Sequence, residues 1–154
     1  MTQVIDGITI RHFEAKDKDI VWDFFGQMGG ETRAFFDRNN GNRDMAMKFF
    51  DNTAKDTNYF LAEYEGKMVG YLFLWDMDRT VPWLGIAVHE EFKGKQIGRK
   101  LMLFATDFVR SKNKGGILLT THVANLRGQA LYERVGYERL GMHHTGEILY
   151  LLRF

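Results

Sequence analysis

The stretch that decides the fold runs from Trp83 to Arg110 and reads WLGIAVHEEFKGKQIGRKLMLFATDFVR. Its first part, Trp83–Val88, is a short apolar run that predicts a buried strand. A loop with two glycines follows, Lys93 to Gly98, and opens directly into an amphipathic helix. The first N–H groups of a helix have no acceptor within it, so such a loop predicts an anion site. Four basic side chains add positive charge there, namely Lys93, Lys95, Arg99 and Lys100.

The composition bounds what the chain can be. Its 154 residues fit one domain, 1–154, and 45% are apolar, enough for a single core. The charges balance to +1, so nothing indicates a nucleic-acid partner. The absence of Cys excludes a disulfide scaffold, a thiolate nucleophile and a cysteine zinc site. Since no signal peptide and no membrane-length apolar run is evident, we expect a soluble, cytoplasmic protein with no membrane partner.

The elements before Trp83 are predicted from apolar periodicity and turn residues. The predicted helices begin at Asp17 or Lys18 and end at Gly29-Gly30, cover Thr32–Arg38 as a short piece, and run from an Asn42 cap to Phe49. The predicted strands are Ile8–His12, Asn58–Tyr64 and Met68–Asp76, with the last two forming a hairpin around Glu65-Gly66-Lys67.

The elements after Trp83–Val88 alternate between helix and strand. The long helix is predicted to run from Ile97 to about Lys112, where Gly115-Gly116 ends it. The remaining predicted elements are a strand over Ile117–Thr121, a helix over Asn125–Val135, and hairpin strands over Tyr137–His143 and Glu147–Arg153. Helices between strands, with hairpins at both ends of the chain, predict a mixed sheet in the α/β (α+β) class.

A second motif covers Asn125 to Tyr137, NLRGQALYERVGY. Asn125 follows a strand and precedes a helix, so it is expected to be an N-cap. Tyr132 lies two turns along that helix on nearly the same face. From spacing alone, Tyr132 is a buried core aromatic with one satisfied hydroxyl.

Both motifs, together with the order of elements, resemble the GCN5-related N-acetyltransferases, the GNAT superfamily. The family loop is Q/R-x-x-G-x-G/A, and here Gly98 matches its last position while Lys93 and Gln96 depart from it. Gly94 is the extra glycine of the family's common R-G-x-G form. The family's second motif is N-x-x-A-x-x-L-Y-x-x-x-G-F/Y, and this chain matches it except for Gly128 in place of Ala. The resemblance implies the GNAT fold, a mixed, splayed seven-stranded sheet with helices on both faces.

Gln96 stands where the family has the central loop glycine. A Cβ is tolerable at this position if φ stays below zero and the side chain points away. We therefore expect a negative φ at Gln96 and a working loop with reduced cofactor affinity.

The resemblance implies acetyl-CoA as the cosubstrate and no metal. Val88 would polarise the thioester carbonyl through its N–H, and Tyr132 would act as the general acid on the leaving thiolate. The pantetheine arm would pair as an extra strand with Ile86, Ala87 and Val88, and Asn125 would face it. The pyrophosphate would lie on Lys93, Gly94, Lys95, Gln96, Ile97, Gly98 and Arg99.

The acceptor implied by the resemblance is a primary amine of a small molecule or peptide. Its proton would pass to a carboxylate or His, and the candidates are Glu31, Asp76, Asp78, His89 and His122. The three acidic residues would also attract a cationic amine, and His89 is expected at the surface. The pair His143-His144 is interpreted as polar residues of the closing hairpin, because adjacent strand residues point to opposite faces and cannot readily share a metal. Homodimers are common in the family.

Two other classes of function stay open. One is a CoA-binding sensor without turnover, which Gln96 favours and Tyr132 opposes. The other is a protein-interaction domain, in which the lysine-rich loop is only a solvated surface. The aromatics Phe35, Phe36, Trp75 and Trp83 are expected either to line a substrate pocket or to pack in the core.

Overall fold

The computed structural model describes residues 6–27 and 41–154. Seven strands form one sheet in the order β1-β2-β3-β4-β5-β7-β6. The strands are β1 (Thr9–His12), β2 (Asn58–Tyr64), β3 (Lys67–Trp75), β4 (Trp83–Val88), β5 (Gly116–Thr121), β6 (Glu138–Met142) and β7 (Ile148–Arg153). The helices are α1 (Lys18–Gly26), α2 (Gly41–Met47), α3 (Ile97–Ser111) and α4 (Leu126–Arg134), with short 3-10 turns at Ala15–Asp17 and Glu90–Phe92.

The sheet is mixed, as predicted. Neighbouring strands are antiparallel except β4 and β5, which are parallel. β4 pairs with β3 from Trp83 to Val88, whereas its register with β5 joins only Trp83 and Leu118. The two parallel strands therefore meet at their amino ends and separate towards their carboxyl ends, which is the predicted splay.

Helices cover both faces of the sheet, which confirms the predicted layers. The sheet face under α3 and α4 carries an aliphatic core; its buried members include Leu72, Leu84, Ile86, Leu101, Ala105, Ile117 and Leu119. The face under α1 and α2 carries an aromatic core; its buried members include Phe13, Phe24, Phe25, Tyr59, Tyr71 and Phe73. Alternation along each strand supplies both faces, because successive side chains point to opposite sides.

Most predicted elements are present with small shifts at their ends, and β2 and β4 have the predicted bounds. The cap prediction at Asn42 is wrong, since α2 already includes Gly41 and ends at Met47 rather than at Phe49. α1 ends at Gly26, where the N–H of Gln27 donates to the carbonyls of Asp23 and Phe24. The predictions for Gly29-Gly30 and Thr32–Arg38, with Phe35 and Phe36, lie outside the described residues.

His143 and His144 lie in the closing hairpin as predicted, but the expectation that their side chains point to opposite faces is wrong. β6 ends at Met142, so both residues belong to the β6–β7 turn, and their rings lie side by side with centroids 4.1 Å apart. A turn releases the backbone from strand alternation, which is why the rings need not point to opposite faces.

A buried ion pair fastens the first strand to the turn that follows it. Asp17 is 2% exposed, and its carboxylate accepts two hydrogen bonds from the Arg11 guanidinium, at 2.8 and 2.9 Å. The backbone N–H of Glu14 donates to the same carboxylate at 2.7 Å. These bonds hold the pKa of Asp17 below its usual value, and the Arg11 hydrogen bonds are the main cause.

Candidate functional site

The loop between β4 and α3 is bent by two residues with left-handed backbone conformation. Gly94 has a φ of +79° and Gln96 a φ of +64°. The expected negative φ at Gln96 is therefore wrong: Gln96 adopts the conformation that a glycine would take, at a steric cost of roughly 1 kcal/mol. Alternation of left- and right-handed residues turns successive N–H groups towards one side, the geometry of an anion-binding nest.

The head of α3 presents its N–H groups beside this loop. The first helical hydrogen bond runs from the Lys100 N–H to the Gln96 carbonyl at 3.1 Å. Ile97, Gly98 and Arg99 therefore have N–H groups without acceptors inside the helix. Lys93 approaches Glu90 with 3.2 Å between Nζ and Oε1, so part of its charge is already balanced.

A cavity of about 350 Å³ opens where β4 and β5 separate. Its size lies at the lower end of the range for small-molecule pockets. It extends from the loop and the head of α3 to α4 and the core. The lining residues are Ile86, Ala87, Val88, Phe92, Lys93, Gly94, Gln96, Ile97, Gly98, Arg99, Asn125, Arg127, Gly128, Ala130, Leu131, Tyr132 and Arg134. The structure thus brings both motifs to one cavity; of the predicted cofactor residues, only Lys95 is not among those that line it.

The backbone of β4 offers hydrogen-bonding groups to this cavity at alternate residues. The N–H of His89 donates to the Val69 carbonyl on β3 at 2.9 Å, and the Pro82 carbonyl accepts from Leu118 on β5 at 2.9 Å. Successive residues of a strand turn their backbone groups to opposite sides. Ile86 and Val88 therefore direct theirs towards the gap, whereas the expected backbone role of Ala87 is wrong because its groups face β3.

Asn125 is the predicted N-cap of α4. Its Oδ1 accepts from the Gly128 N–H at 3.1 Å, and its Nδ2 donates to Thr121 Oγ1 at 3.0 Å. A Cβ at Gly128 would collide with the Asn125 amide, so the glycine leaves room for this capping geometry. The amide thereby fixes the head of α4 to the end of β5 at the edge of the cavity.

Tyr132 reaches the cavity from the core side of α4. It is 3% exposed, and its ring packs edge-on against Tyr150 with centroids 5.8 Å apart. Burial raises the pKa of the Tyr132 phenol well above its usual value, and a hydrogen bond with Thr121 opposes this only in part. The hydroxyl therefore keeps its proton at neutral pH and is available as a donor.

His89 was expected at the surface and is instead 5% exposed. Its Nδ1 accepts from the Glu91 N–H at 3.2 Å, which leaves Nε2 as the donor to Gln27 Oε1 at 2.8 Å. Burial, reinforced by the positive charge of Lys67, lowers the pKa of His89. His89 thus caps the 3-10 turn that leads into the loop, which is a structural role. The adjacent Glu90-Glu91 pair is the reason why the sequence predicts a surface position for it.

The remaining acceptor-side candidates are scattered. Asp76 and Asp78 lie in the β3–β4 turn, at the opposite end of β4 from the loop and so roughly 16 Å along the strand from it. His122 follows β5, and its Nδ1 accepts from the Ala124 N–H at 3.0 Å. Glu31 lies outside the described residues. None of Asp76, Asp78 and His122 lines the cavity.

Sequence reasoning missed several of the lining residues on α4. Arg127, Ala130, Leu131 and Arg134 are spaced at i, i+3, i+4 and i+7, the period of one helix face. This spacing is visible in the sequence and could have identified these residues as one face of the helix. It brings two more guanidinium groups to the cavity opposite the loop.

Two further findings concern metal binding and membrane spanning in the described part of the chain. No group of three or more His, Asp and Glu side chains there is arranged to hold a metal ion. No helix within residues 6–27 and 41–154 has the length and apolarity that a membrane span requires.

The model of the acetyltransferase (GNAT) family matches residues 19–137 of the chain. The N-alpha-acetyltransferase RimI of Mycobacterium tuberculosis is 33% identical over 89 residues. That match covers 55% of this chain and 54% of RimI, so the chain spans about half the length of the curated relative.

Solved structures share the fold at low sequence identity. PaiA N-acetyltransferase of Thermoplasma acidophilum, determined in complex with coenzyme A, is 15% identical with a TM-score of 0.77 over 96% of this chain and 99% of its own. The ribosomal-protein-S18-alanine N-acetyltransferase of Escherichia coli is 18% identical with a TM-score of 0.73 over 96% of this chain and 94% of its own.

Proposed function

The chain belongs to the acetyltransferase (GNAT) family, and from that premise we propose that it transfers acetyl from acetyl-CoA to a primary amine of a small molecule or peptide. The observation that carries the proposal is the cavity between β4 and β5, where the loop from Lys93 to Gly98, an open strand edge and Tyr132 converge. RimI, a relative by sequence, is named for acetylating alpha-amino groups, which supports an amine as the acceptor.

The residues of the cavity fit the parts of this cosubstrate in order. The N–H groups at the head of α3 and the loop around Gly94 suit a pyrophosphate, since both supply donors and positive potential. The groups of Ile86 and Val88 that face the gap suit the amides of a pantetheine arm, by strand addition. Arg99, Arg127 and Arg134 add positive charge around the outer part of the cavity.

The mechanism we propose is direct attack of the amine on the thioester. The Val88 N–H donates to the carbonyl oxygen as negative charge develops on it. Tyr132, whose hydroxyl keeps its proton, donates to the leaving sulfur as the general acid. The amine loses its proton to solvent or to a neighbouring carboxylate.

Release of free CoA from acetyl-CoA, measured with a panel of primary amines, tests the proposal. We expect amine-dependent release that Tyr132→Phe strongly reduces. Binding of CoA without turnover on any amine would instead support a sensor. Failure of acetyl-CoA to bind at all would favour a protein-interaction domain.

A further inference from the structure

The strand registers place a set of polar and aromatic side chains on the sheet face opposite to Tyr132. Trp83 on β4 is level with Leu118 on β5, and Thr120 follows Leu118 on the same face. Thr120 is level with Leu149 on β7. Glu147 directly precedes β7, and its carboxylate accepts a hydrogen bond from Thr120, which places it on the same face. The chain thereby brings Glu147 to the place where β4 and β5 separate, although no sequence motif marks it.

Glu147 is held in a defined orientation. Thr120 Oγ1 donates to Glu147 Oε1 at 2.9 Å, and the carbonyl of Glu147 accepts from the His143 N–H at 2.7 Å. The side chain is only partly buried. A carboxylate has two oxygens with several acceptor sites, so a partner on one leaves the group able to accept from a ligand.

Glu147 and Tyr132 approach the separated strands from opposite faces. Thr121 pairs with Ile148 in the β5–β7 register, and Tyr132 is hydrogen-bonded to Thr121. The negative charge of Glu147 contributes to the raised pKa of Tyr132, which places the two groups within electrostatic range. A thioester lying between β4 and β5 would therefore have a phenol on one side and a carboxylate on the other.

A row of stacked aromatic side chains, the aromatic wall, lies on the same sheet face as Glu147. Trp83 stacks on Trp75 with centroids 6.1 Å apart, and Trp75 stacks on Phe73 at 4.9 Å. The ring of Phe73 lies over Gly85, where a Cβ would collide with it. The edge of His143 meets Trp83 with centroids 5.9 Å apart, which links the wall to the β6–β7 turn. Trp75 and Trp83 stay partly exposed.

We propose that Glu147 receives the amino group of the acceptor on this face, and that the acceptor carries an apolar or aromatic group that packs on Trp83. The inference rests on the proposed acetyl transfer and names its proton acceptor and its class of substrate. A carboxylate binds an ammonium by charge-assisted hydrogen bonds, and an indole face attracts both a cation and an apolar group.

The ammonium bound to Glu147 loses one proton to solvent, and the nitrogen lone pair forms the C–N bond. Glu147 then accepts a second N–H proton from the tetrahedral adduct. This proton is acidic because the nitrogen, now bonded to the acyl carbon, carries a positive charge. The C–S bond breaks, sulfur takes the Tyr132 proton, and Glu147 returns its proton to Tyr132 through solvent. One proton is released per turnover.

Steady-state kinetics with acetyl-CoA and three amines test the inference, the amines being phenylethylamine, ethanolamine and spermidine. We expect the wild type to prefer phenylethylamine over ethanolamine by about tenfold, from burial of the ring against Trp83. We expect Glu147→Gln to lower kcat/KM for phenylethylamine about 100-fold through both kcat and KM. The KM for acetyl-CoA should not change.

Three further variants separate a direct role from a structural one. Glu147→Asp should restore part of the rate, and Thr120→Val, which removes the orienting bond, should raise the amine KM. Glu138→Gln on the same hairpin is the matched control, since Glu138 is 64% exposed and pairs only loosely with Arg153 at 3.8 Å. It should leave the kinetics unchanged.

The pH dependence gives a readout that a structural role would not move. Glu147 attracts the ammonium form, so the deficit of Glu147→Gln should shrink as pH approaches the amine pKa of about 10. A deficit that stays constant with pH, or wild-type kinetics in Glu147→Gln, would overturn the inference while the proposed function stands. Preference for spermidine or ethanolamine would overturn the acceptor class, and absence of turnover in the wild type would overturn both proposals.

Discussion

At the scale of single residues, the cavity holds two groups whose chemistry follows from their surroundings. Tyr132 is a protonated phenol because it is buried, and Gln96 is a side chain in a backbone conformation that favours glycine. In the proposed mechanism Tyr132 acts in turnover, whereas Gln96 is expected to affect the stability of the loop. Each can be altered by a substitution that leaves the other contacts in place.

Tyr132→Phe removes one hydroxyl from the cavity and keeps the ring. We expect kcat to fall about 100-fold, since a general acid or strong hydrogen-bond donor contributes on this order. The Kd for acetyl-CoA, measured by calorimetry, should stay unchanged because the ring contacts with Tyr150 remain. A large loss of affinity would make Tyr132 a structural residue instead.

Gln96→Gly removes the steric strain of a side chain in the left-handed conformation just before α3. The steric cost of that conformation exceeds the entropy that glycine adds to the unfolded chain, so the free energy of unfolding should rise by about 0.5 to 1 kcal/mol. Urea denaturation measures it. Lys95→Gly is the comparison, because Lys95 has a negative φ, so a glycine there adds unfolded-state entropy and relieves no left-handed conformation. Equal effects of the two substitutions would contradict the argument.

At the scale of elements, the head of α3 and the ion pair between Arg11 and Asp17 are expected to have separate roles. α3 begins beside the cavity, and its Gly98 lies against Leu131 of α4. The ion pair of Arg11 and Asp17 lies at β1, and β2 and β3 separate it from the gap between β4 and β5. The first should control binding and the second should control stability.

Gly98→Asp places a negative charge among the N–H groups at the head of α3. We expect acetyl-CoA to bind more than about tenfold more weakly, because the carboxylate opposes the phosphates and competes for the same donors. Gly98→Ala is the comparison for bulk alone, since its Cβ would lie 3.1 Å from a methyl group of Leu131. An unchanged Kd in the Asp variant would rule out a phosphate site here.

Asp17→Asn breaks a buried ion pair far from the cavity. We expect a loss of roughly 2 kcal/mol in the free energy of unfolding at neutral pH, measured by urea denaturation. The pKa of Asp17 is lowered in the folded protein, so its stabilisation is full above the unfolded pKa of about 3.9 and is lost as pH falls through the folded pKa. The difference between the variant and the wild type should therefore vanish in acid, and a constant difference would contradict this.

At the scale of the whole molecule, β4 and β5 are joined at one position while each is fully paired with its other neighbour. The sheet therefore consists of two well-paired halves with a gap between them. A ligand that pairs with β4 in that gap and contacts α3 and α4 would tie the halves together. Binding should then be visible as global stabilisation.

Acetyl-CoA should raise the stability of the entire fold. At a free concentration of 100 times Kd the expected gain is about 2.7 kcal/mol, which corresponds to roughly 5 to 10 °C in Tm for a chain of this size. Differential scanning calorimetry measures it, with Gly98→Asp at the same ligand concentration as the control. An identical Tm with and without acetyl-CoA would contradict its binding in the gap between β4 and β5.

The features predictable from sequence are those set by neighbours along the chain. The strand Trp83–Val88, the start of α3 at Ile97 and the cap at Asn125 follow from apolar patterning and from the unmet N–H groups of a helix start. The gap between β4 and β5 was expected only from family resemblance, because no local pattern determines how far two parallel strands stay paired.

Tertiary structure alone decided which distant residues meet. The register of three strands places Glu147, Thr120 and Trp83 on one sheet face, and the buried His89 has Gln27, the C-cap of α1, as its partner. The backbone conformation at Gln96 was also set by the closure of the loop onto α3 rather than by its side chain. Local sequence determines where backbone groups lack partners, whereas the packing of separate segments determines which side chains surround them.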